Sequence, residues 1–399
     1  MSSPGLTARM VLNMLRNIQI GEIRLITPAG EHQLQGLQQA DLAPQTFEIR
    51  RWRAFERALR RGDIGFGESF MDGDWTTPDL PGLLRTLAAN RQALDKAIVG
   101  HRWLLLLDRI GHLLRSNSTK RAKKNIEAHY DLGNDFYRLW LDPTMTYSSA
   151  IYTDREMRGE LPTDLSGAQN RKMDRALSML GPLGPESQTL EIGCGWGGLA
   201  MRRLDQPGRH LGITLSVEQK AWAEEHLAAQ GLQDRCEIRL QDYRHTDGRF
   251  DGIVSIEMIE AVGEAYWPTY FNTLHRCLKP GGRAVVQAIV IRDDLFPRYR
   301  KGLDFIQKYI FPGGMLLSRQ AIESVSAKAG LRVVDEFAFG QHYARTLRDW
   351  YDRFNAKEDE IRALGFDDRF MAMWRFYLSY CEAGFYTGDL DVLQVCFER

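Results

Sequence analysis

Gly193, Gly195 and Gly197 fall within the stretch TLEIGCGWGGLA (189–200), where an apolar strand runs straight into a helix start. Glycines at this spacing permit a tight turn with no Cβ in the way, so a nucleotide-like ligand can lie against bare backbone. A dinucleotide site would show G-x-G-x-x-G for the pyrophosphate and an acid about 20 positions on for the ribose. Here the run is GCGWGG, and the next apolar stretch, HLGITLS (210–216), ends without an acid. The compact turn therefore fits S-adenosylmethionine (AdoMet) better than NAD. The alternative is a loop that only links strand to helix.

Such a turn works at the end of a parallel sheet, and the chain from about Gly181 alternates as one. TLEIG, HLGITL, CEIRL, FDGIVSI, GGRAVVQAIV and LRVVDEFAF read as strands, with LSVEQKAWAEEHLAAQG and YWPTYFNTLHRCLKPGG as the clearest helices. Ligands of these sheets sit at the carboxyl ends of the strands, which gathers Gly193 to Gly197, Thr214, Asp242 and Glu257 to Glu260 into one crevice. Ahead of this lies a smaller mixed module. Gly21 to Leu34 reads as two strands around a Pro28-Ala29-Gly30 turn, and Phe47 to Arg61 as a helix with Ile49, Trp52, Phe55 and Leu59 on one face. Gly62 to Trp75 is turn-rich and expected to pack as loops.

The 399 residues exceed one average domain, and a hydrophobic content of 44% supplies an ample core. A net charge of zero conceals +7 over residues 1–124 (19 Lys/Arg against 12 Asp/Glu) and −7 over the remainder. The first third is therefore the side to meet an anion. Within it, the apolar run Trp103 to Leu107 is followed by Lys120, Arg121, Lys123 and Lys124, the pattern of a helix lying on an anionic membrane surface. A core helix with a solvated basic linker is the alternative. Five scattered cysteines form no C-x-x-C, and no apolar stretch approaches a membrane span or a cleavable leader, so reduced thiols in the cytoplasm are expected.

Four further segments complete a pattern: AHYDLGNDFYRLWLDPTMTYSSAIY (128–152), LQDYR (240–244), SIEMIEAVGEAYWPTYF (255–271) and KYIFPGG (308–314), the last followed by GQHYARTLRDWY (340–351). With EIGCGWGG they resemble, in the family's order over roughly residues 120–399, the cyclopropane-fatty-acid synthases and mycolic acid cyclopropane synthases. The resemblance implies a doubly wound α/β class I AdoMet-dependent methyltransferase domain, Rossmann-like, over residues 121–399, with acyl-binding insertions; the smaller α/β module ahead of it, over 1–120, is a candidate for membrane or substrate binding. It places Tyr147 and Ser148 near the AdoMet carboxylate, Gly193, Gly195, Gly197, Thr214 and Gln219 along its methionine and ribose portions, and Gln241 and Asp242 at the adenine. It further implies a bicarbonate ion as base, held at Ser149, Glu260, Gln287, the Ile289 backbone and Tyr343. Glu257 carries weaker support, and a carboxylate at a helix start is the bland alternative for both acids. Trp196, Phe136, Tyr137 and Tyr309 are candidates to line an acyl tunnel, or ordinary core. His129 is a lone histidine with no metal cluster beside it.

Two of the five expected anion-site positions depart from the family pattern, as does one outside them. Ser149 stands where Cys is usual and Gln287 where His is usual, and Ala261 replaces a histidine that often follows the glutamate. Ser and Gln still donate hydrogen bonds, but Gln carries no exchangeable proton near neutral pH. The expected activity is methyl transfer to the double bond of an unsaturated phospholipid acyl chain, giving a methyl- or methylene-branched chain slightly in preference to a cyclopropane. A small-molecule methyltransferase and a non-catalytic AdoMet- or lipid-binding relative are the alternatives. The expected location is the inner face of the membrane, peripherally, with no nucleic acid partner and no metal, and a homodimer left open.

Overall fold

The computed structural model describes residues 5–98 and 132–399, in two units. The apolar run at Trp103, the basic run Lys120 to Lys124, His129 and the expected boundary at residue 120 lie outside the described residues.

The first unit is not contiguous in sequence. Besides the N-terminal residues it takes in Lys301–Ile310 and Glu358–Thr387, both expected in the catalytic domain. Its sheet has the order β2-β1-β3-β4, with β1 Glu22–Thr27, β2 Gly30–Gln35, β3 Gln45–Ile49 and β4 Trp75–Thr76. The hairpin at Pro28 forms as expected, but the helix expected from Phe47 does not begin there. QTFEI alternates buried and half-buried positions, and its inward Phe47 meets Trp75 edge-on at 5.3 Å, so these residues pair with β1 as a strand. The helix starts at Arg53 and runs to Met71, through the segment expected to be loops, with Gly62 at φ +57° absorbing a kink. Gly67 is required where it stands, because a Cβ there would come within 2.6 Å of the Phe305 ring. The basic patch of this unit is largely answered from within: Arg51, Arg53 and Arg57 converge on Asp74, and Arg61 meets Glu68 at 2.5 Å.

The second unit holds a seven-stranded sheet in the order β10-β11-β9-β8-β5-β6-β7. The strands are β5 Gln188–Ile192, β6 Arg209–Thr214, β7 Cys236–Leu240, β8 Phe250–Ile256, β9 Leu278–Ile291, β10 Arg332–Ala338 and β11 Leu390–Glu398. The first five are mutually parallel, whereas β11 runs antiparallel to both β9 and β10. Six of the seven match expectation, and β11 is additional. Tyr270, Phe271 and Leu274 of the helix Trp267–Cys277 share a core with Val286, Leu393 and Phe397 of the sheet. The chain goes outward from β5 to β6 and β7 on one side and to β8 and β9 on the other. The strand order thus reverses beside β5, where such sheets leave a crevice at the carboxyl ends of the strands.

Candidate active site

The glycine turn leaves β5 at this reversal. Gly193 and Cys194 both donate their N–H to the Ile213 carbonyl at 2.9 and 3.0 Å, which bends the chain back over β6. All three glycines have positive φ, at +82°, +51° and +84°, but only one faces open space. A Cβ on Gly193 would meet Met258 at 2.7 Å and one on Gly197 would meet Ala223 at 2.9 Å, so those two serve packing. A Cβ on Gly195 would meet nothing within 4 Å. Bare backbone is thus offered at Gly195, which is the cradle an adenosyl cofactor requires.

The other expected cofactor residues lie along the neighbouring strand ends. Thr214 donates through Oγ1 to Gln219 Oε1 at 2.9 Å, and Ser216 caps the helix that carries Gln219. Gln241 donates its backbone N–H to the Thr214 carbonyl and its side-chain amide to Thr246. Asp242 accepts from the Arg244 backbone at 2.9 Å and pairs with its guanidinium at 3.0 Å, so a turn cap is among its tasks. Ser148 accepts through Oγ from Lys172 Nζ at 2.6 Å. Tyr147 lies 5.2 Å from Trp350, 5.5 Å from Trp140 and 5.6 Å from Tyr137 between ring centroids, and Tyr137 is 5.1 Å from Trp196. This cluster includes three of the four aromatics considered for an acyl tunnel, since Phe136 packs on Tyr137. Tyr309 belongs instead to the first unit, where its hydroxyl donates to Glu68 at 2.6 Å.

Beyond the end of β8 the expected anion site takes an unexpected form. Ser149 donates its backbone N–H to Glu257 Oε1 at 2.9 Å, Gln287 donates Nε2 to the same oxygen at 2.7 Å, and Tyr343 donates its hydroxyl to Oε2 at 2.7 Å. The three residues come together as expected, but on a side-chain carboxylate. The Ser149 hydroxyl turns to the Ala150 carbonyl, so the Cys-to-Ser departure leaves the backbone donor untouched. Gln394 donates to Gln287 Oε1 at 3.0 Å, which orients the amide with its NH₂ toward Glu257. The Ile289 N–H, expected on the anion, reaches Glu260 Oε1 at 2.5 Å. Glu260 Oε2 is buried without a hydrogen-bond partner.

Both acids keep some accessible surface although protein surrounds them closely. Burial pushes Glu260 up to about 8, with the Glu257 charge adding to it. Burial also raises Glu257, opposed by Tyr343, by the Lys172 cation and by the Ser149 and Gln287 donors. With three donors on Glu257 and one on Glu260, the pair carries its proton on Glu260 at neutral pH. Lys172 itself is fully buried and pushed down to about 8 by desolvation, against the pull of Glu257, Asp142 and Glu191.

A stability test follows from Glu260. Its folded value lies above that of an unfolded carboxyl, so its contribution is fully present below about pH 4.5 and lost as the pH rises through about 8. The stability of the parent relative to Glu260→Gln should therefore fall from pH 5 to 8 by on the order of a few kcal/mol. Denaturant melts at four pH values read this; parallel curves would place the proton elsewhere.

Lys172 and Gln394 were not singled out from sequence, and Glu257 only weakly. The signal for Lys172 was present: Leu165, Ala168, Met173 and Ala176 mark the buried face of its helix, and Lys172 lies on that face.

A family model described as mycolic acid cyclopropane synthetase matches residues 117–395. The chain belongs to that family. It is accordingly an AdoMet-dependent methyltransferase with AdoMet as its cofactor. The tuberculostearic acid methyltransferase UfaA1 of Mycobacterium tuberculosis is 44% identical over 359 residues, 88% of this chain and 82% of that protein. The cyclopropane-fatty-acyl-phospholipid synthase of Escherichia coli is 36% identical over 360 residues, 90% and 88% of the two chains. Among solved structures, the cyclopropane synthase MmaA2 from Mycobacterium tuberculosis matches with a TM-score of 0.64 at 31% identity, covering 69% of this chain and 98% of its own. The mycolic acid cyclopropane synthase CmaA1, solved with SAH and CTAB, matches equally well at TM-score 0.64 and 31%. The family's α/β methyltransferase fold is the second unit's.

Proposed function

We propose that this member of the family methylates the double bond of an unsaturated acyl chain carried on a phospholipid. The observation that carries the reading is the hydrogen-bonded carboxylate of Glu257 and its neighbour Glu260 in one unit with the aromatic cluster of Tyr137, Trp140, Tyr147, Trp196 and Trp350. When bound, AdoMet supplies an electrophilic methyl on a sulfonium. An alkene is a weak nucleophile, and the chain it leaves behind is a carbocation that water would trap, so the residues must exclude water and offer negative or π-rich surface. The rings and the Glu257 charge answer that need. Gly195, Thr214, Gln219, Gln241, Asp242, Tyr147 and Ser148 would hold AdoMet, and Tyr343, Gln287 and the Ser149 backbone set the position of the base. A built acid pair supports catalysis over binding alone.

Two relatives point to different products: tuberculostearic acid in one name, cyclopropane-fatty-acyl-phospholipid in another. We favour the branched outcome. AdoMet with a fully deuterated methyl separates the two, with the unsaturated phospholipid presented in anionic vesicles. Loss of a chain proton keeps all three deuteriums in a methyl-bearing alkene; a methylene branch and a ring each keep two, and the C=CD₂ group of the branch tells it from the saturated ring. Recovery of a ring with two would overturn the branched reading, and no label in lipid would overturn the acyl substrate. For action at the inner face of the membrane, the same assay should slow as salt rises and when Lys120, Arg121, Lys123 and Lys124 are changed to Gln. No helix among the described residues is long and apolar enough to cross a membrane. A salt-independent rate would sink the surface reading.

A further inference from the structure

Among the described residues only Met145 and Glu257 adopt positive φ without being glycine. At φ +48° Glu257 sits in a backbone region that side chains other than Asn and Asp rarely enter, and such outliers persist where surrounding contacts impose them. The contacts here are the ones a free anion was expected to use. Its peptide N–H is held by the Gln287 carbonyl at 2.8 Å, and its carboxylate takes the Ser149 N–H, the Gln287 amide and the Tyr343 hydroxyl. The fourth expected group, the Ile289 N–H, is engaged by Glu260. A bicarbonate ion and a carboxylate present the same O–C–O edge to hydrogen-bond donors, so these donors cannot serve both at once. The residues present do not fit a bound bicarbonate.

Resting on the acyl-methylation reading above, we infer that the Glu257 carboxylate is the built-in occupant of the anion seat and the proton acceptor of the reaction. After one alkene carbon has bonded to the methyl and the carbon–sulfur pair has gone to sulfur, the other alkene carbon is a cation, and a C–H bond breaks either on the chain carbon beside it or on the new methyl. Its proton forms an O–H bond on Glu257, and its electron pair closes a C=C bond, or a C–C bond of a ring. No oxidant or reductant is consumed. The Tyr343, Gln287 and Ser149 donors hold the acceptor oxygens, and Gln394 keeps Gln287 facing them.

The test compares the parent with Glu257→Gln and Glu257→Gly, the second of which relieves the backbone strain and is expected to fold. Calorimetry with AdoMet checks that both variants keep the cofactor site. In carbon-dioxide-depleted buffer the parent should keep its full rate, while Glu257→Gln loses about 100-fold or more in kcat with little change in KM. Glu257→Gly should be inactive in that buffer and regain rate when bicarbonate is added. Independently of turnover, ¹³C-bicarbonate should broaden by NMR with Glu257→Gly and not with the parent. A parent that needs bicarbonate, equal broadening by parent and Gly variant, or a Gln variant at full rate would each overturn the inference. If the parent moves no methyl into lipid in any buffer, the acyl reading and the proton-transfer role fall together, while the broadening still decides which carboxyl fills the seat.

Discussion

Gly195→Val should abolish measurable AdoMet binding, by more than about 100-fold or roughly 2.7 kcal/mol, while leaving a folded protein. The expectation is sharper than the glycine motif alone permits. Gly193 and Gly197 are tied to Met258 and Ala223, so side chains there would disturb packing, and any loss of binding would be ambiguous. Gly195 has no protein atom within 4 Å of where a Cβ would stand, so added bulk falls into the space left for the cofactor. A β-branched residue at φ +51° also costs on the order of 1–3 kcal/mol in backbone strain, so a modest drop in melting temperature is part of the prediction. Gly195→Ala should show a smaller loss of affinity, and Gly197→Ala a larger loss of stability. Calorimetry on the folded Val variant decides the matter, and parent-like affinity would remove the turn from the cofactor site.

Lys172→Met should cost roughly 3–5 kcal/mol of stability, because it strips a fully buried cation from among the charges of Glu257, Asp142 and Glu191. The lost hydrogen bond to Ser148 adds to this. Without the cation, Glu257 is left with neutral donors only and should take up a proton at higher pH than in the parent. The double variant with Glu257→Gln should then be less destabilised than the two single changes summed, by more than about 1 kcal/mol. Strict additivity in denaturant melts would show that Lys172 answers the other acids and not Glu257.

Much of the second unit was legible because its signals are local. Each parallel strand is a short apolar run closed by turn residues, and the glycine turn announces itself by type and spacing. β11 was not, because VLQVCF (392–397) inserts antiparallel between β9 and β10, outside the parallel strand–helix alternation that announces the other strands. In the first unit, Ile49, Trp52, Phe55 and Leu59 mimic a helical stripe although a strand and a helix divide them, and only pairing with β1 reveals the break. That unit's later segments belong to it through contacts far apart in sequence, which no window of residues reports. At the site, Ser149, Gln287 and Tyr343 were found through family resemblance and Glu257 only weakly, and that Glu257 is their common partner was not legible, since it depends on a backbone angle there.

The position of β11 bears on how the molecule comes into being. Among the described residues β10 has β11 as its sole neighbour in the sheet, and more than fifty residues, including the whole Glu358–Thr387 excursion into the other unit, are made between the two. During vectorial synthesis β9 therefore carries an open outer edge, and β10 has nothing to pair with until β11 emerges. Closing so long a loop delays the gain from pairing until its entropy has been spent. Substitutions in β11 should consequently show themselves first as inclusion bodies and chaperone retention in expressing cells, before any change in the turnover of the molecules that mature.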